Sequence, residues 1–147
     1  MQARLLDQED GRRTFVVVLE TGDEVMSCLS DFARREHLSA AQFSAIGAFS
    51  TATLAYFDWQ TKAYVKNPVA EQVEVAALLG DVALGPDGQP AVHIHAVLGR
   101  RDGTALAGHL AQALVRPTLE IVVTESPAYL HKRVDPESGL ALIRVAD

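Results

Sequence analysis

Three histidines hold the chemistry this sequence offers. His93 and His95 stand two residues apart in AVHIHAVLG, and His109 follows the small pair Ala107–Gly108 after a short turn. Side chains alternate between the faces of a strand, so His93 and His95 project on one side while Val92, Ile94, Ala96 and Leu98 project on the other. Their Cα atoms then lie about 7 Å apart, within reach of one ion. A chain returning from the turn brings His109 alongside them. Three neutral imidazoles with an open fourth position suit zinc or another first-row divalent ion. The same residues also suit a hydrogen-bonded polar cluster, and the spacing by itself leaves both readings open.

The remaining reactive side chains say less. The His-x-His pair invites comparison with the cupin barrels, but no Glu follows at Gly99 or Arg100 and His109 comes too soon for their second histidine. His37 falls at the end of a predicted helix, where an imidazole suits the C-terminal dipole. His131, in YLHKR, reads as part of a solvated face. Glu74 precedes the apolar run VAALL and Glu120 interrupts TLEIVV. A carboxylate in either place must face solvent, meet a cation or belong to a site, so both are weak candidates for a catalytic base, and Glu120 also for a partner of a ligating histidine. Asp81 and Asp102 read as turn residues, and Cys28 as a packed structural thiol. No Ser–His–Asp or Cys–His arrangement announces itself, and no GxGxxG or GxxxxGK[ST] loop supports a nucleotide-binding scaffold.

Composition sets the limits within which these residues work. The chain has 147 residues, 48% of them hydrophobic and 22% charged, which suits one domain over residues 1–147 with an ordinary core. Thirteen Lys and Arg against 19 Asp and Glu give a net charge of −6, which excludes binding nucleic acid simply by being basic. The single cysteine excludes an internal disulfide. The opening MQARLLDQED lacks the pattern of a signal peptide, and no run approaches the length of a membrane span. The expectation is a cytoplasmic protein without membrane contact. Residues 41–99 contain only two basic and five acidic side chains, a neutral stretch that suits the buried part of a sheet or a subunit interface.

The elements that must position the histidines follow from hydrophobic period. Thr14–Leu19 (TFVVVL) reads as a core strand. Thr21 and Glu24 have capping-box spacing, and Val25, Leu29, Phe32 and Ala33 form one apolar stripe, which predicts a helix over about 22–36. The run AIGAFSTATLAYFDW reads either as two strands joined near Ser50 or as one long strand with a bulge. Tyr64–Val65 and Val73–Leu79 read as strands separated by a turn at Asn67–Pro68. A hairpin about Pro86–Gly88 presents the His-x-His strand, and a second turn follows at Arg101–Gly103. Thr118–Thr124 is a further core strand and Leu140–Val145 a short terminal one. Many short strands with one helix predict an α+β domain around an antiparallel sheet.

These segments together resemble the PPC domain, the "plants and prokaryotes conserved" family also known as DUF296. The likeness runs from FVVVLETGDEVMSCLSDFARREHL through SAIGAFSTATLAYFD and EVAALLGDVAL to AVHIHAVLGRRDGTALAGHL and TLEIVV, about residues 12–125, with 126–147 as a C-terminal extension. The ordering of His-x-His, short strand, DG turn and GH is its specific part. The resemblance implies a compact α+β fold assembled as a homotrimer, and a metal-binding trio that maps onto His93, His95 and His109. Where the family shows GGH this chain has Ala107–Gly108–His109. In plants the domain accompanies AT-hooks; this chain has no Arg-Gly-Arg core, and Arg12–Arg13, Arg34–Arg35 and Arg100–Arg101 stand among acids. The leading expectation is therefore a metal-binding homotrimeric domain that recognises a small molecule or a protein. A DNA-associated regulator by family analogy is the first alternative. The second is a metal-dependent enzyme in which the three histidines hold an ion that polarises water or a carbonyl.

Overall fold

The β-branched run Thr14–Leu19 lies inside strand β2 (Arg12–Glu20) of the computed structural model, which describes residues 1–145. A strand not expected from the sequence, β1 (Gln2–Glu9), precedes it and pairs with it at one edge of the sheet. Every β1 residue is exposed, so no alternation of buried and polar positions marks it.

Helix α1 spans Val25–Arg35 and buries Val25, Leu29, Phe32 and Ala33. It starts later than expected because Glu24, not Thr21, caps it: the Ser27 N–H donates to Glu24 Oε2 at 2.7 Å. The Thr21 hydroxyl instead donates to the Pro117 carbonyl at 3.3 Å. His37 closes the other end with φ 54°. Its N–H donates to Arg34 O at 3.1 Å, and the Leu38 N–H donates to Ala33 O at 2.9 Å, the paired bonds of a Schellman cap. Arg13 ties this end to the sheet, donating to the Glu36 carbonyl at 2.8 Å and to Glu125 Oε1 at 3.0 Å. Phe32 packs edge-on against Phe15 at 5.3 Å.

The run from Ala40 to Asp58 is one long strand, β3, whose pairing with its neighbours shifts register at several points. The expected turn at Asn67–Pro68 is not a turn. Both residues lie within β4 (Ala63–Val69), which pairs only with β3, so the missing proline N–H falls on an edge. The chain reverses earlier, where Asp58 Oδ1 accepts from the N–H groups of Gln60 and Thr61 at 2.7 and 3.1 Å. Strands β5 (Val73–Leu84) and β6 (Pro90–Gly99) form the expected hairpin, and β7 (Ala105–Glu125) follows the turn at Arg101–Gly103. Two short strands, β8 (His131–Val134) and β9 (Ala141–Arg144), complete the sheet, β9 matching the expected terminal strand. The last two residues of the 126–147 extension lie outside the described residues.

The architecture is α+β with α1 packed on β6 and β7. The sheet is mixed rather than purely antiparallel, because β8 joins β5 in parallel through Leu84 and His131. The pairings β3–β5, β5–β6, β6–β7 and β7–β3 close a ring, since β7 pairs with β3 along most of its length and with β6 through Ala105–His109. One face of this ring carries Phe43, Leu78, Ile94, Leu98 and Ile121 into the core. The other carries the histidines. Cross-strand partners share a face, and the partnerships Val122–Ser44, Ser44–Leu79, Leu79–His95 and His95–His109 place these residues in one row.

Candidate metal centre

The β5–β6 hairpin and the β6–β7 ladder build the site. Ile94, Ala96 and Leu98 are buried, so the alternation of β6 turns His93 and His95 outward together. His109 is the direct cross-strand partner of His95, which places the third imidazole beside the first two. Ring centroids are 5.1 Å apart for His93–His95, 5.1 Å for His93–His109 and 5.6 Å for His95–His109. One nitrogen from each ring lies within 4.8 Å of the others. A tetrahedral zinc site with bonds near 2.05 Å needs nitrogens about 3.4 Å apart, a contraction within the reach of small ring rotations.

The close approach of β7 to β3 depends on Gly108. A Cβ there would stand 2.9 Å from the carbonyl oxygen of Ala55, the cross-strand partner of His109. Ala107, by contrast, is an exposed strand residue outside the positive-φ set, so alanine is accommodated where the family shows the first glycine of GGH.

The electrostatics favour neutral imidazoles at His95 and His109. Burial, reinforced by His93 and His95 and then by Lys132, pushes His109 down to about 4. His95 is also lowered, by burial first and then by His93, against the opposing pull of Asp81. Nδ1 of His109 is buried without a hydrogen-bond partner, while Tyr64 stacks on the ring at 4.9 Å. A neutral imidazole with an unpaired buried nitrogen, next to two others, is a donor set that fits a first-row divalent ion.

Asp81 is not the turn residue the sequence suggested. It lies within β5, directly across from His93, and its Oδ2 is 3.3 Å from His93 Nδ1. Its other oxygen is 2.8 Å from Nζ of Lys132, which comes from β8 with a side chain only 6% exposed. That contact is an ion pair without a directed hydrogen bond to Oδ1. Burial works to raise the Asp81 carboxyl, but the contacts with His93 and Lys132 outweigh it and hold the group below the usual carboxylate range. Asp81 was legible in principle: a symmetrical hairpin centred on Asp87 sets it opposite His93, as observed. Nothing local marked Lys132, because β8 reaches the site only through tertiary pairing.

These residues open on a cleft of about 730 Å3, lined also by Phe57, Tyr64 and, from β9, Leu142 and Ile143. The structure does not bring Glu120 or Glu74 to this cleft. Glu120 is exposed in the far half of β7, between Val18 and Ile46, and Glu74 is exposed between Ala48 and Gly99. His37 and His131 are exposed and stand apart from the trio. Cys28 packs against the core, where burial and then Asp23 push its thiol up. No helix among the described residues is long and apolar enough to cross a membrane.

The Plants and Prokaryotes Conserved (PCC) domain matches residues 6–127. A metal-containing protein from Archaeoglobus fulgidus is similar at 33% identity and TM-score 0.82, over 90% of this chain and 93% of that one. A plant- and prokaryote-conserved protein from Pyrococcus horikoshii aligns at 27% identity and TM-score 0.85, over 99% of this chain and 96% of that one. A candidate DNA-binding protein from Ralstonia eutropha aligns at 32% identity and TM-score 0.83, over 90% and 91% of the two chains. No curated protein matches the sequence.

Proposed function

The chain belongs to the Plants and Prokaryotes Conserved domain family, and from that premise we propose that it is a metal-binding domain whose His93, His95 and His109 hold one divalent ion, zinc first among the candidates. The observation that carries this reading is the trio itself: three imidazoles converging within 4.8 Å, one of them with a buried nitrogen that nothing in the protein satisfies. The likeness to a protein described as metal-containing supports it. Asp81 orients His93, Tyr64 packs on His109, and the cleft beyond them admits a small molecule or a segment of a partner protein. A bound ion supplies Lewis acidity to a ligand's oxygen or nitrogen atoms.

We place the domain in a homotrimer in the cytoplasm. Support for assembly comes from the outer face of the sheet, where Ile46, Leu79 and Val122 are 62%, 63% and 47% exposed in a single chain. An uncovered apolar face of this kind is the usual mark of an interaction surface.

Elemental analysis of gently purified, untagged protein tests the metal reading. The expected result is about one zinc, iron, manganese, nickel or copper ion per chain, lost when His93, His95 and His109 are all changed to alanine while the oligomer persists. Protein that stays metal-free after dialysis against each ion in turn overturns it. A metal-dependent enzyme remains the extension to test with the ion so identified. A carboxylate base would have to be Asp81 or come from a neighbouring chain, since Glu74 and Glu120 do not line the cleft.

DNA association is the second reading, favoured by the likeness to the Ralstonia protein. Against it, Arg13, Arg34, Arg35 and Arg100 are each paired with a carboxylate in the same chain. Duplex binding with a steep salt dependence would establish it.

A further inference from the structure

We infer that Lys132 and Asp81 form a positioning relay that fixes the tautomer of His93, so that the C-terminal β8–β9 hairpin is a working part of the metal centre. The inference rests on the metal reading for its purpose but not for its geometry. Lys132 lies beyond residues 6–127, the part of the chain that matches the family, yet its side chain is among the few buried charged groups.

Lys132 is buried for a reason. An ammonium group leaves water only if it is paired, and Lys132 Nζ has two partners: Asp81 Oδ1 at 2.8 Å and the Ala91 carbonyl at 3.4 Å. Ala91 is next-but-one to His93 on β6, so the lysine bridges β8 to both strands of the histidine hairpin. Its effect on Asp81 is orientation. With Oδ1 drawn to the ammonium, Oδ2 is left facing His93 Nδ1 at 3.3 Å.

An ionised carboxylate only accepts hydrogen bonds. The proton between the two groups therefore sits on His93 Nδ1, and the lone pair of that ring is confined to Nε2. Fixing the tautomer and ring direction in this way is what a carboxylate behind a ligating histidine does. The hydrogen bond is long, and the Asp81 side chain is 30% exposed, so the carboxylate has water as an alternative partner. Lys132 removes that alternative. Without the ammonium, Asp81 turns toward solvent and His93 samples both tautomers. Residues of the same hairpin, Leu142 and Ile143, line the cleft together with the histidines, so one element both positions a ligand and shapes the cleft.

The test reads the tautomer directly, in metal-free protein. Histidine is labelled with 15N, and two-bond 1H–15N correlations of the ring nitrogens are recorded at pH 8 with chelator present. The expected result is a single Nδ1–H tautomer for His93 in the native chain. A mixture of tautomers is expected in Lys132→Met and in Asp81→Ala. Zinc titration of the same proteins is expected to give affinities about 10- to 100-fold weaker for either variant, with little further loss in the double variant. Preserved tertiary signals from Phe15 and Phe32 show that each variant folds, and Asp81→Ala tests the carboxylate independently if Lys132→Met does not. A native His93 in the Nε2–H form overturns the relay. An unaltered tautomer and unaltered zinc affinity in Lys132→Met overturn the part assigned to the lysine. If the native protein binds no metal at all, the metal reading fails while the tautomer result stands or falls by itself.

Discussion

His109 is the residue on which the environment acts most strongly. Its imidazole is stacked under Tyr64, crowded by two other histidines and lowered to about 4 from an ordinary value of 6.5. The sign of the consequence is fixed by linkage: between these two values the unfolded chain binds a proton that the folded chain refuses. Stability that is fully present above pH 6.5 is therefore lost as the pH falls toward 4, and His95, also lowered, adds in the same direction. In metal-free protein, the urea midpoint is expected to decline over this window, with a shallower decline in His109→Gln. Parallel declines in the two proteins would show that His109 is not the group responsible. Protons and metal ions compete for the same lone pairs, so metal loading is expected to weaken over the same range.

At the level of elements, the site is a property of pairing register. The β5–β6 hairpin sets Asp81 opposite His93, and the β6–β7 ladder sets His109 opposite His95. A slip of one residue in either would turn the side chain to the other face. Gly108 protects the second register by letting β7 approach the Ala55 carbonyl, and Gly80 does similar service beside Asp81. There a Cβ would stand 2.1 Å from the edge of the Phe43 ring. Gly108→Ala is expected to force the strands apart at a cost on the order of 1–3 kcal/mol. Because His109 is the next residue, zinc affinity should fall at least tenfold even where the fold survives. Thermal unfolding and zinc titration measured together check this; a variant that loses stability but keeps full affinity would mean the site tolerates the shift.

The whole molecule presents two faces with opposite assignments. One packs α1 against the sheet and has its apolar residues satisfied within the chain. The other runs from Val122 through Ser44 and Leu79 to His95, so an apolar surface leads straight to the histidine trio. Leu79→Glu and Ile46→Glu place charges on that surface without touching the core. Light scattering is expected to fall from three chains to one, near 15.8 kDa, with the circular dichroism of the sheet retained. A native chain that is already monomeric, or a trimer indifferent to both changes, would remove this face from the assembly.

Local pattern was enough for much of this. Period-3.6 spacing marked α1, β-branched runs marked β2 and the core of β7, and the Pro-Asp-Gly turn located the hairpin that carries His93 and His95. Alternation in a strand then required those two side chains to share a face. What local pattern could not supply was everything decided between distant segments. Strand β1 has no buried face to signal it, and β4 holds a proline that reads as a turn until its partner on one side alone is known. Glu74 and Glu120 looked more eligible than Asp81, which read as a turn residue, because a carboxylate among apolar residues announces only that it needs an environment. The fold placed the first two in solvent and the third between a histidine and a buried lysine. Residue types and spacing determined that three imidazoles could meet. Only the closed ring of strands and the returning C-terminal hairpin decided what stands behind them, because those contacts are made by segments far apart in the chain.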